Sequence, residues 1–142
     1  MSKVFEDEFM DLQAGLISLS LEVAGEEEVD KVFAYCCNEE KCKAFYAFFD
    51  IKGEIKMLHQ IGVPDKLAFQ FMGEGIDDMG RLDSLCKKHN MPIPTELRLQ
   101  YDVKSGTFNA DYKYKKHTRG RRTPGEVYIE WVEKMKQEYA SK

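Results

Sequence analysis

No stretch of this 142-residue sequence approaches the ~20 consecutive apolar residues that a membrane-spanning helix requires. The opening "MSKVFEDEFMDL" is acidic, with neither a basic start nor an apolar run behind it. It therefore lacks the form of a secretory signal, and a cytoplasmic chain is expected. Histidine is scarce: His59, His89 and His117 lie far apart in sequence, and no nucleophile–base pattern surrounds them. His59 shares its parity with Ile55 and Met57, so a packed or edge histidine is expected there.

There is no Cys-x-x-Cys pair, although the chain has four cysteines. Cys36 and Cys37 are adjacent in a strand-like run, where neighbours point to opposite faces, so they make poor halves of a tetrahedral metal site. All four read as reduced thiols acting as small apolar residues. "MGEGIDDMG" has glycines but not the lysine and Ser/Thr of a phosphate loop, and "DIKGEIKM" lacks the spaced oxygen ligands of a calcium loop. The expectation is a protein without catalytic residues, cofactor or metal.

What remains is the composition of an ordinary globular chain, 43% hydrophobic and 32% charged, long enough for one domain over 1–142. Charge is unevenly placed. Residues 1–94 hold ten Lys/Arg against eighteen Asp/Glu, and residues 95–142 hold eleven against seven.

Phe5, Phe9, Leu12, Leu16, Leu19 and Val23 recur at steps of four and three, which predicts a helix over about 3–24 that stops at Gly25. Three strand-like runs follow. "VDKVFAYCC" is joined to "CKAFYAFFDI" by a turn at 38–41, and "IKGEIKMLHQIG" opens on a Lys52-Gly53 turn. "CKAFYAFFDI" is apolar on both parities, as in a strand covered on both faces. Leu67, Phe71, Ile76, Met79, Leu82 and Cys86 predict a helix over 66–89, broken or bent at Gly73, Gly75 and Gly80.

"ELRLQYDV" and "TFNADYKYK" alternate on either side of "KSG", a hairpin with Leu97, Leu99, Tyr101, Val103, Phe108, Ala110, Tyr112 and Tyr114 inward and Glu96 outward. Thr123, Pro124 and Glu126 then open a last helix whose buried face runs through Tyr128, Trp131, Val132, Met135 and Tyr139. The order α-β-β-β-α-β-β-α predicts an α+β domain: an antiparallel sheet with packed helices. Its core should include Phe45, Phe48, Leu99, Tyr101, Phe108, Tyr112 and Trp131.

Two surface features stand out. Glu74, Asp77, Asp78 and Asp83 form an acidic set on the central helix, which Glu39 and Glu40 of the first turn could join. Such a set is either a solvated face or a docking surface for a basic partner. The other feature is "KYKKHTRGRR" at 113–122, with Lys115, Lys116, Arg119, Arg121 and Arg122 as a candidate nucleic-acid contact. It has no evident reading element, so nonspecific, salt-sensitive attraction is the most it predicts.

The segment "PTELRLQYDVKSGTFNADYKY", followed by a helix containing "EVYIEWVEKMK", resembles the C-terminal signature of the YezG-type immunity proteins. These bacterial antitoxins neutralise secreted polymorphic toxins, many of them nucleases. Pro94, Leu97, Leu99, Tyr101, Asp102, Gly106, Phe108, Tyr112, Tyr114 and Trp131 carry the resemblance, and over 1–93 only the element order agrees. The basic 113–122 loop and the "CCNEEKC" turn depart from the pattern. The resemblance implies a small protein that binds one cognate toxin domain. An acidic face that covers a nuclease's basic phosphate site would suit that role.

Overall fold

The computed structural model describes residues 4–39, 42–115 and 123–141. Helix α1 (Phe5–Ala24) is followed by strands β1 (Lys31–Glu39), β2 (Cys42–Ile51) and β3 (Glu54–Met57). A 3-10 turn (Leu58–Ile61) leads to α2 (Asp65–Lys88), then β4 (Glu96–Asp102), β5 (Phe108–Lys113) and α3 (Pro124–Ala140). The sheet runs β3-β2-β1-β4-β5, and every neighbouring pair is antiparallel. The predicted α+β class and element order are therefore found.

β1 is central and covered on both faces, and Val32 through Cys37 are at most 1% exposed. Cys36 packs with Phe45, Leu97 and Leu99 beneath α1 and α2, whereas Cys37 packs with Phe48 and Trp131 beneath α3. The two thiols thus face opposite layers, as their adjacency in a strand requires. On the α3 side the Phe33 and Phe48 rings stack at 4.5 Å, and Trp131 meets Phe48 edge-on at 5.0 Å. Each such ring buried contributes roughly 1.5–3 kcal/mol of hydrophobic stabilisation. Thr123 opens α3 as expected, its Oγ1 accepting from the Glu126 N–H at 3.2 Å, and Tyr128 Oη donates to the Ala47 carbonyl at 2.9 Å.

Several expectations change on contact with the fold. α2 is one continuous helix through all three glycines. Gly75 is buried against the sheet, where a Cβ would lie 2.0 Å from Cδ2 of Phe45, so the glycine lets the helix approach rather than breaking it. The first hairpin is tighter than 38–41: Asn38 and Glu39 belong to β1, and Glu39 pairs with Cys42. The third strand ends at Met57, and His59 sits exposed on the 3-10 turn instead of packing on a strand. The preceding turn does form at Lys52-Gly53, both with positive φ (55° and 83°), as a tight hairpin requires.

Of the expected core, Phe45, Phe48, Leu99 and Trp131 are buried. Tyr101, Phe108 and Tyr112 are half-buried, because β5 is an edge strand that α1 only partly covers. Val103, Tyr114 and Leu67 are exposed. Glu96, expected outward, is 1% exposed, since its side of β4 faces the α3 layer. Its Oε2 lies 3.3 Å from Arg98 Nε and 3.6 Å from Lys113 Nζ. The Arg98 guanidinium in turn sits 5.4 Å from the centre of the Trp131 ring, within cation–π range.

The thiols give a direct test of this packing. Burial pushes the Cys36 and Cys86 thiols up, and pushes that of Cys37 up to about 11. At neutral pH these three stay protonated and hidden, whereas Cys42 is half-exposed. An aromatic disulfide reagent should modify one thiol rapidly and three only on unfolding. Four fast thiols would mean that the central strands open in the native state.

Candidate partner-binding surface

α1 and α2 lie side by side on one face of the sheet and present their outer sides to solvent. On α2 the buried stripe is Phe71, Gly75, Met79, Leu82 and Cys86. That phase turns Glu74 and Asp77 outward, one helical turn apart, and both are exposed. Glu74 accepts a hydrogen bond from Gln70 Nε2 at 3.4 Å, and no cation among the described residues pairs with Asp77. These two remain candidates for meeting a partner.

The other predicted members separate. Asp78 is half-buried and held by Arg81 one turn later. Asp83 turns toward the end of the sheet, where Oδ2 meets Lys43 Nζ at 2.7 Å and Oδ1 accepts from Asn38 Nδ2 at 2.6 Å. Asn38 Nδ2 also donates to the Pro94 carbonyl at 3.0 Å. Asp83 therefore fastens α2 to the first hairpin and to the loop before β4, and it leaves the docking set. Glu39 leaves it too, because at 6% exposure it is buried. Glu40 lies outside the described residues.

Sequence reading missed the stronger acidic element. Residues 4–30, which comprise α1 and the loop after it, contain nine Asp/Glu and no Lys or Arg. Seven of the nine are exposed: Glu6, Asp7, Asp11, Glu22, Glu26, Glu27 and Glu28. Glu8 and Asp30 are half-buried. A charge count over 1–94 dilutes this run with the cations from Lys31 to Lys88, whereas a count over the first helix and its loop isolates it.

Cations enter this layer mainly at the C-terminal end of α2. A cleft of about 550 Å3 there is lined by Glu8 and Asp11 opposite Arg81 and Lys88, so its charges balance. His89 caps α2 nearby, its Nε2 3.7 Å from Glu8 Oε2 and its ring 5.5 Å from that of Phe5. Among the described residues no group of three His, Cys, Asp or Glu is placed to hold a metal ion.

The basic 113–122 stretch begins as the end of β5. The Lys113 carbonyl accepts from the Thr95 N–H at 2.7 Å, and the Lys115 carbonyl accepts from Thr95 Oγ1 at 2.8 Å. Tyr112 points the other way and donates from its hydroxyl to Gln13 Oε1 of α1 at 2.6 Å. Lys116, His117, Arg119, Arg121 and Arg122 lie outside the described residues. No helix of the described structure is long and apolar enough to cross a membrane. No family model matches the chain, and no curated protein matches it.

Proposed function

We propose that this chain is an immunity protein that binds and neutralises a cognate bacterial toxin domain, a nuclease, in the cytoplasm by protein–protein association. The observation that carries this reading is the acidic outer surface of α1 and the loop after it, where seven exposed carboxylates and no Lys or Arg over 4–30 share a layer with exposed Glu74 and Asp77 of α2. A nuclease gathers positive charge around its phosphate site, and a surface of opposite sign speeds encounter with it and selects it over neutral surfaces. The resemblance of the β4–β5 hairpin and α3 to YezG-type immunity proteins supports the same role.

The test titrates the purified chain into the C-terminal nuclease domain of a secreted toxin encoded beside it, following both heat and DNA cleavage. A one-to-one complex with cleavage blocked is expected. The opposite result is an active nuclease together with submicromolar binding of the chain to generic DNA. The basic 113–122 segment would own that binding if it weakened steeply with salt and vanished when Arg119, Arg121 and Arg122 became glutamine.

A further inference from the structure

The second groove between α1 and α2, at the end opposite the balanced cleft, has an apolar lining and two carboxylates. Leu19 and Val23 of α1 and Leu67 and Phe71 of α2 line it, with Glu22 contributed by α1 and Glu74 by α2. Its volume is about 140 Å3. Small-molecule and cofactor sites occupy roughly 300–1,000 Å3, so this space suits a single long side chain rather than a metabolite.

We infer that this groove receives one arginine or lysine side chain of the partner protein, the aliphatic stem lying on Leu19, Val23 and Leu67 and the cationic head held between Glu22 and Glu74. The inference rests on the immunity reading and names the contact within it. Long basic side chains cover apolar surface with their methylenes while keeping the charge at the rim, and this groove offers both parts in that order. Leu67 is 42% exposed, an apolar residue left facing solvent between carboxylates.

Among the described residues that line this groove there is no cation. Only neutral Gln70 accompanies the two carboxylates, whereas the other cleft brings Arg81 and Lys88 to Glu8 and Asp11. On the α1 side the end of the helix also favours positive charge. Glu22 stands in the last turn of α1, which contains no basic residue, and Glu26, Glu27 and Glu28 follow directly. The C-terminal end of a helix carries roughly half a negative charge and favours cations, so carboxylates there oppose folding and await an outside partner.

The probe is an acetylated, amidated hexa-arginine peptide, titrated into the isotopically labelled full chain and followed by amide chemical shifts. Shifts should centre on Leu19, Val23, Leu67 and Gln70, and Glu22→Gln with Glu74→Gln should weaken binding about tenfold. The charge-matched control, Glu8→Gln with Asp11→Gln, should change it less than twofold. Equal losses in both pairs, with shifts spread over all the carboxylates, would mean diffuse attraction and overturn the groove. In the complex with the nuclease domain the groove pair should again cost about tenfold. Unchanged affinity there overturns the groove and leaves the immunity reading standing. Peptide held in the groove with no nuclease complex supports the groove and removes the immunity reading.

Discussion

Replacing Gly75 with alanine is expected to destabilise the protein by about 3 kcal/mol, more than any other single methyl added to α2. The new Cβ would lie 2.0 Å from Cδ2 and 2.4 Å from Cγ of Phe45, closer than real carbon contacts allow. Phe45 has no room to retreat: it is fully buried, paired across β1 with Cys36, and its ring sits 4.8 Å from that of Phe71. Overpacking of this kind costs typically about 1–3 kcal/mol and sometimes more, against a helix-propensity gain of only about 1 kcal/mol for Gly→Ala.

Gly73 and Gly80 provide the internal comparison. Nothing lies within 4 Å of a Cβ built at either, so alanine there keeps the propensity gain and should stabilise by about 0.5–1 kcal/mol. Urea denaturation of the three variants should therefore give opposite signs within one helix. A Gly75→Ala protein as stable as Gly73→Ala would mean that α2 does not lie so close to β2.

The same helix shows what could be read in advance. Its apolar period was visible, but its continuity was not, because the reason for Gly75 is a phenylalanine thirty residues earlier in another element. Features decided locally were legible: the Thr123 cap, the Lys52-Gly53 turn, and the β4–β5 pairing. Those decided across the fold were not. Asp83 looked like a surface carboxylate until Asn38 and Lys43 came against it, and Glu96 looked outward until the α3 layer covered its side of β4. Alternation assigns residues to the two sides of a strand, but it cannot say that both sides will be covered. The candidate surface was thus half legible: Glu74 and Asp77 held their expected exposure, Asp83 and Glu39 did not, and the acidic run of α1 was present in the sequence but went uncounted.

Reversing Glu74 and Asp77 together to lysine should weaken the complex with the nuclease domain at least about 100-fold while leaving stability nearly unchanged. Both side chains are exposed, and neither holds a Lys or Arg among the described residues, so folding loses little. At an interface the change both removes two attractions and sets two like charges against a basic patch, each of which costs on the order of 2–5 kcal/mol when desolvated. The loss should be largest at low salt, and it should appear in the association rate as well as in dissociation, since steering depends on the field of the whole face.

The most direct measurement is therefore the affinity of the Glu74→Lys, Asp77→Lys double variant for the nuclease domain, at two salt concentrations, beside its unfolding midpoint. A native midpoint with affinity down about 100-fold, the difference shrinking as salt rises, is the result expected of an acidic α1–α2 docking surface. A native midpoint with unchanged affinity at both salts would contradict it and place the contact on another face of the protein.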